Sequence, residues 1–424
     1  MQVLIIGCGA SGAAAAIAAA EAGHSVTVLD KNRKPLKKLG VTGNGRGNLM
    51  NLGEPVFFGD RSFAHEVLSL MPPASVKEFL TGLGLSLTSD GEGRVYPSSY
   101  MASVAVDAFL SRMKELKVDI LQNMEVTSIH PKNGVFCVKA TESLYAPSAR
   151  KKSGKEKKGE LLSKREVQFT AERVILAAGG KAAPAHGTDG SAYALAEALG
   201  HSLITPRPAL CPLLTEAKPI QGLDGIRVKA GLRLASKSGE TLHQSSGEAL
   251  FTAEGVSGIA AMQLARFAHE GCTLFINLTE SLTGHPKTPL SQWIAQRIQQ
   301  RGNSPLSRFL QGTAVPALQN AILLQAGLSG FDSYASALSP DQRQQLANAI
   351  ESFRLTVTGV KGFEAAQVTA GGICAGEISP ETMESKRIPG LRFTGEILNV
   401  DGDCGGHNLL FAFASGLLAG KTLA

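Results

Sequence analysis

Residues 2–12 read Gln2-Val3-Leu4-Ile5-Ile6-Gly7-Cys8-Gly9-Ala10-Ser11-Gly12, and this stretch decides the fold. Residues 2–6 are the short apolar run of a strand buried on both faces of a parallel sheet. Residues 10–22 carry mostly small side chains and read as a helix that lies close against such a sheet. Residues 25–30 (SVTVLD) supply the next strand. A β-α-β opening predicts a doubly wound α/β sheet. The three glycines have separate duties: Gly7 permits the sharp turn, Gly9 lets a pyrophosphate touch the backbone, and Gly12 lets helix and strand pack closely. Ala10 and Ser11 open the helix, whose unpaired N–H groups and partial positive charge suit phosphates. Asp30 ends the second strand 18 residues beyond Gly12, where a carboxylate accepts hydrogen bonds from an adenosine ribose and disfavours a 2′-phosphate.

A second glycine-rich segment follows at residues 37–48. It combines Lys37, Lys38 and Arg46 with Asn44, Asn48 and the glycines 40, 43, 45 and 47. So many donors at such close spacing suit a long anionic ligand, which raises the expectation of a dinucleotide held along two loops.

Composition narrows the class. In 424 residues there are 42 Lys+Arg against 36 Asp+Glu, a net charge of +6. Between residues 150 and 165 eight residues are basic and two acidic, so the excess sits there and 34 of each sign remain elsewhere. A dedicated nucleic-acid binder distributes its basic residues over a face; this chain is a neutral body with one basic stretch, read as an enlarged hairpin loop before a strand at 166–170. Six scattered cysteines without a C-x-x-C pair indicate neither a disulfide framework nor a thiol redox couple, and fit a reducing cytoplasm. No run of about 20 apolar residues suggests a membrane span.

Farther along, helical patterns occupy about 62–83 and 101–115, and alternating segments at about 117–140 turn at residues 131–134 (PKNG). Residues 173–178 form another buried strand ending at Gly179-Gly180. From about Pro206 short strand-like pieces (210–216, 226–236, 248–252, 273–277) precede a Gln-rich helical region at 288–350. Strand character returns at 354–360, the first sheet resumes near 367 and 391, and a final helix starts near Gly405.

The loop Thr42-Gly43-Asn44-Gly45-Arg46-Gly47-Asn48, with GRVYP at 93–97, LAAGG at 176–180, PRPAL at 206–210, GEALFT at 247–252, VTAGG at 368–372, TMESK at 382–386 and GEILNVDG at 395–402, resembles the BaiN/RdsA-type NAD(P)/FAD-dependent oxidoreductases. The resemblance covers nearly the whole chain. It implies a discontinuous glutathione-reductase-like Rossmann domain for FAD (1–200 and 360–424), an inserted β-barrel-like domain (201–285 and 350–360) and a small helical domain (286–349). It also implies the cofactor contacts. Gly7, Gly9, Ala10, Ser11 and Gly12 would hold the pyrophosphate, and Asp30 with Lys31 the ribose. Lys38, Gly43, Asn44, Gly45, Arg46 and Asn48 would line the central part of FAD, with Val126 at the adenine. Ala178, Gly179 and Gly180 would pass near the nucleotide half. Gly371, Gly372, Gly395, Glu396, Asp401, Gly405, Gly406, Asn408 and Leu409 would surround the ribityl chain and isoalloxazine. Gly405-Gly406 also has a physical rationale, since a helix opening there points N–H groups at the flavin edge where reduction places negative charge.

Three positions depart from the family pattern: Gly47 where a cysteine is common, His407 where an aromatic is usual, and Leu410 where a glutamine is frequent. His407 is either a proton donor or substrate anchor over the flavin, or a ring that fills the aromatic's space. The segment at 416–422 (GLLAGKT) has the wrong spacing for a phosphate-binding loop. No metal site is expected, because Cys404 and His407 form only a solitary pair. With one dinucleotide fingerprint, a nicotinamide donor would dock transiently. A small-molecule substrate fits best; an RNA-modifying flavoenzyme using residues 150–165, or a non-catalytic flavin-binding protein, are the alternatives.

Overall fold

A computed structural model describes residues 1–146, 160–329 and 331–423. They form two compact units, Met1–Arg207 with Val368–Ala424, and Pro208–Gln367. In the first unit the elements that matter below are β1 (Gln2–Ile6), α1 (Ala10–Glu21), β2 (Ser25–Asp30), β3 (Met50–Asn51), β4 (Leu87–Ser89), β5 (Arg94–Pro97), α2 (Ala102–Glu115), β6 (Asp119–Gln122), β7 (Met124–Lys132), β8 (Val135–Tyr145), β9 (Leu161–Ala171), β10 (Arg173–Leu176), α3 (Ser191–Ala198), β11 (Leu203–Ala209), β12 (Val368–Ile373), β13 (Leu391–Phe393) and α4 (His407–Lys421).

A five-stranded parallel sheet runs β13-β10-β1-β2-β6. β1 is central, with Ile5 opposite both Val28 and Ile175. Val3 through Ile6 are at most 5% exposed, as a strand covered on both faces requires, and each such burial stabilises by about 1.5–3 kcal/mol. α1 buries every residue from Ser11 to Ala19, between the sheet and α4. The two helices meet at glycines: a Cβ on Gly416 would lie 2.3 Å from Ser11 O, and one on Gly420 would lie 2.5 Å from Ala15 O. The GLLAGKT stretch is thus a helix-packing surface.

β7, β8 and β9 form a separate antiparallel sheet in the order β9-β8-β7. The PKNG turn joins β7 to β8 with Asn133 and Gly134 both left-handed (φ 53° and 79°), the geometry of a tight two-residue hairpin. One expectation is corrected here. The hairpin loop read at 150–165 does not extend to 165, because β9 starts at Leu161 and places Lys164 and Arg165 opposite Ser143 and Glu142. Arg165 pairs with the Glu142 carboxylate. These strand residues are exposed on both faces, so they carry no apolar alternation to read. Residues 150–159 of that basic stretch lie outside the described residues. A second difference is at β11, which pairs with β12 and so keeps residues 203–207 with the first unit. The helical pattern at 62–83 resolves into Arg61–Leu70 and Pro73–Gly82, broken at Pro72-Pro73.

The second unit is a closed six-stranded barrel of Leu213–Thr215, Gly255–Ser257, Thr241–Thr252, Arg227–Ala235, Thr273–Asn277 and Phe353–Val360. Strict alternation fills its interior, as with Val228, Ala230, Leu232 and Leu234. The strand expected at 248–252 starts earlier, at Thr241; its first half is polar and only partly covered, which leaves no apolar alternation to read. Helices Leu290–Arg301, Pro316–Gln325 and Pro340–Glu351 occupy the interval before the last barrel strand. Pro340–Glu351 opens with a capping box in which Ser339 Oγ accepts from Gln342 N–H and Gln342 Oε1 accepts from Ser339 N–H. Among the described residues no helix is long and apolar enough to cross a membrane.

Candidate cofactor site

At the first turn Gly7 and Gly12 do what their spacing implies. Gly7 has φ +100°, and a Cβ there would lie 2.6 Å from Ala177 O; on Gly12 it would lie 2.0 Å from Gly7 O. Around Gly9 nothing lies within 4 Å of such a Cβ, so this is the open place in an otherwise tight turn. α1 has no side-chain cap and no acid in its first turn, which leaves its early N–H groups and positive end for an anion. These features, an open cradle and an uncapped helix, fit the pyrophosphate of a dinucleotide.

Asp30 is 5% exposed. Its Oδ2 accepts from Cys8 N–H (2.7 Å), and its Oδ1 accepts from Asn32 N–H (2.7 Å) and Asn32 Nδ2 (3.0 Å). Burial pushes its pKa up, opposed by those bonds and by Lys31. Asp30 therefore also fixes the glycine turn, a role its position at the end of a strand did not announce. Asn32 is a further residue the sequence reading missed; its Asp-x-Asn spacing is the signal of an Asx turn. Lys31 pairs with Asp189 and reaches Ser191 Oγ at 3.2 Å, holding the Asp189 carboxyl down to about 2 although its own burial opposes this. Val126 lies on β7, close behind the strand β6 that pairs Gln122 with Asp30.

A second network joins residues far apart in sequence. Lys38 Nζ pairs with Glu396 Oε2 at 2.8 Å. Glu396 Oε1 accepts from Thr369 N–H (3.0 Å) and from Thr369 Oγ1 (2.9 Å), and Thr369 Oγ1 accepts from Lys181 and Ala182 N–H. Gly180 is small for this reason, since a Cβ would lie 2.4 Å from Thr369 Oγ1 and 2.8 Å from Glu396 Oε1. Ala178, Gly179, Gly180, Lys38 and Glu396 are thus brought together. In the neighbouring loop Gly43, Asn44 and Gly45 are left-handed in succession (φ 57°, 55° and 83°). Arg46 is exposed, and its guanidinium stands 5.4 Å from the Tyr100 ring.

The third part is the opening of α4. Gly405 and Gly406 are left-handed, and a Cβ on Gly406 would lie 2.5 Å from Met50 C and 2.8 Å from Asn48 Oδ1. Asn48 therefore meets this helix end, and its Oδ1 is enclosed without a hydrogen-bond partner among the described residues. Asn51 Nδ2 donates to Gly405 O (2.8 Å). Asn408 clamps the approach through Gly402 N–H and Gly402 O, both at 2.8 Å. Gly395 rests on Ser11, 2.6 Å from Oγ to a would-be Cβ, so the α4 side and the pyrophosphate turn are in contact. Gly371 and Gly372 are crowded by Thr205 O and Ile397 O. Asp401 is buried in the short strand Val400–Gly402, and Leu409 is half-buried.

His407 is 7% exposed, edge-on to Phe57 at 6.4 Å, and its Nδ1 has no hydrogen-bond partner among the described residues. Burial lowers its pKa, so the ring is neutral at neutral pH. Burial likewise raises the Cys404 thiol. Among the described residues no group of three or more His, Cys, Asp or Glu is placed to hold a metal.

The family described as HI0933-like protein Rossmann domain matches residues 1–422. The chain belongs to that family. This HI0933-like chain is similar to the 3-dehydro-bile acid delta(4,6)-reductase of Clostridium scindens, at 34% identity over 100% of this chain and 99% of the relative. It is similar to the ribosomal RNA dihydrouridine synthase of Escherichia coli, at 25% identity over 98% and 96%. Among solved structures, the 3-ketosteroid-delta4-(5alpha)-dehydrogenase of Rhodococcus jostii RHA1 is similar at 16% identity and TM-score 0.46, over 99% of this chain and 96% of that one. A Rossmann site shaped for a dinucleotide, in a chain that matches a reductase along nearly all of the reductase's length, makes this family member an FAD-dependent oxidoreductase.

Proposed function

We propose that this chain is a reductase, fed by NAD(P)H, that saturates a carbon–carbon double bond conjugated with a carbonyl in a small organic substrate. The observation that carries this reading is the 34% identity to a delta(4,6)-reductase across the whole chain. The more distant relative, a dihydrouridine synthase, shares that chemistry, because uridine also loses a double bond conjugated with a carbonyl. When bound, FAD supplies the two-electron chemistry, giving or taking a hydride at N5.

The chain's own residues supply position and field. Gly9 and the first turn of α1 hold the pyrophosphate, and Asp30 keeps that turn in place while facing the ribose. Lys38, locked to Glu396, lines the middle of the cofactor. The uncapped end of α4 presents N–H groups and a partial positive charge where negative charge gathers on reduction. His407, neutral and wedged against Phe57, fills space beside that end. The nicotinamide donor docks transiently.

Anaerobic mixing with NADH and NADPH tests this. Bleaching of the flavin absorbance, followed by recovery on adding a conjugated enone, is expected. A flavin that neither nucleotide bleaches would overturn it and favour a non-catalytic flavin protein. The second reading, RNA as substrate, is favoured by the basic stretch at 150–165. It requires salt-sensitive retention of RNA that disappears when Lys151, Lys152, Lys155, Lys157 and Lys158 are changed to Ser.

A further inference from the structure

The GRVYP motif at 93–97 has no part in the cradle above, yet it forms its border. β5 is the central strand of a small antiparallel sheet ordered β3-β5-β4, with Asn51 opposite Arg94 and Thr88 opposite Tyr96. Side chains two apart share a face, so Arg94 and Tyr96 lie on the face that carries Asn51. That face is turned to the opening of α4: Asn51 Nδ2 donates to Gly405 O, and Arg94 Cγ lies 3.8 Å from where a Gly405 Cβ would stand. On the other flank lies the 42–48 loop, since a Cβ on Gly47 would lie 3.2 Å from Pro97 Cδ and 3.0 Å from Ala102 Cα. The motif thus borders both the α4 opening, read above as the flavin end, and the loop read as lining the middle of the cofactor.

Tyr96 is unusual among these residues. Its ring is buried, 8% exposed, and tilts against Tyr100 at 5.3 Å. Its hydroxyl has no hydrogen-bond partner among the described residues and is not one of the enclosed atoms, whereas the Tyr193 hydroxyl is enclosed. A buried ring with an accessible, unused donor is what a ligand-facing tyrosine looks like. Arg94 cannot serve in its place, being tied to Asp90 (2.7 Å) and Glu92 (3.0 Å). Beside it Tyr100 adopts φ +52°, a strained conformation for an aromatic residue. It remains 43% exposed with Met101 at 54%, forming an apolar shelf.

We propose that Tyr96 donates a hydrogen bond to the carbonyl oxygen of the substrate, while Tyr100 and Met101 support the apolar body attached to that carbonyl. This rests on the enone-reductase reading above. The hydroxyl breaks no bond of its own; it stabilises the negative charge that reaches the oxygen when a hydride adds to the β-carbon, and the resulting enolate takes a proton from water at the α-carbon. Burial, the largest influence on the Tyr96 phenol, raises its pKa, so the proton stays available through neutral pH.

The test uses the full-length, FAD-loaded protein and Tyr96→Phe, which keeps the ring and removes the donor. The probe is cyclohex-2-en-1-one. In the oxidised protein the probe is expected to shift the flavin absorbance, with at least tenfold weaker binding in Tyr96→Phe. After anaerobic reduction by NAD(P)H, reoxidation by the probe is expected to slow by ~100–1000-fold in the variant, the cost of losing one oxyanion donor, with FAD content and the rate of bleaching unchanged. Equal binding in both proteins, or no binding in either, overturns the assignment. Tyr96-dependent binding without reoxidation in the unaltered protein supports the assignment and overturns the reductase reading alone.

Discussion

Two helices open on glycine at the cofactor site, and they are held in place by different chemistry. α1 opens at Gly9 behind a turn fixed by a buried carboxylate, Asp30, which accepts from Cys8 and Asn32. α4 opens at Gly406 behind a turn fixed by neutral amides, Asn51 on Gly405 and Asn408 on Gly402. The α1 turn is thus held by a carboxylate buried within the protein. The α4 turn is held by side chains that carry no charge. The carboxylate clamp can titrate, whereas the amide clamps cannot.

Breaking either opening is the harshest test. Gly12→Ala forces a Cβ to 2.0 Å from Gly7 O, and Gly406→Ala combines φ +106° with 2.5 Å to Met50 C. Both are expected to cost more than about 3 kcal/mol of stability and to abolish FAD retention, read by denaturant melts and by cofactor content after gel filtration.

Asp30→Asn probes the charged clamp. One of its amide's ends then opposes a donor, and FAD affinity should fall by about 10–100-fold, since losing a hydrogen bond to a charged group costs about 1.5–3 kcal/mol. A pH difference should follow. The folded-state pKa of Asp30 is raised, so the folded apoprotein binds more protons than the unfolded chain between the two pKa values. Stability from this group therefore declines as pH rises from the ordinary carboxylate range through the raised value. Apoprotein melting from pH 4 upward should show that component in the parent and lose it in Asp30→Asn.

Asn408→Ala probes the neutral clamp. Removing both bonds to Gly402 should destabilise by about 1–3 kcal/mol and shift the flavin spectrum, with no added pH dependence. The smallest effect is expected from His407→Phe, which fills the same space and removes an enclosed Nδ1 without a partner. FAD should stay bound and stability should change by no more than about 1 kcal/mol, toward greater stability. A turnover that collapses instead would make His407 a participant in the chemistry.

The α1 opening was legible because its signals are local: three glycines, a run of small residues and one acid, all within thirty residues. The strands of the second unit and the return of the sheet near 391 were legible as short strand-like runs, whereas closure into a barrel was implied only by the family resemblance. The Lys38–Glu396–Thr369 network was not, because Thr369 reaches residues 188 positions away and nothing in a threonine announces such a partner. Gly180 looked like a ligand contact alone, while the structure shows protein atoms crowding it. Tyr96 stood in a quoted motif without a role, because the strand that orients it is four residues long and carries too few residues to establish a period. β9 was misjudged at its start, since residues exposed on both faces leave no pattern.

The glycine contact between α1 and α4 also sets a timetable. Ser11 and Ala15 wait for Gly416 and Gly420 across some four hundred residues of chain, and β1 waits for β10 before its second edge is covered. During synthesis the nucleotide turn is made first, and its helix is covered only when α4 leaves the ribosome. A nascent protein halted before residue 416 would therefore carry the fingerprint without the helix that packs on α1.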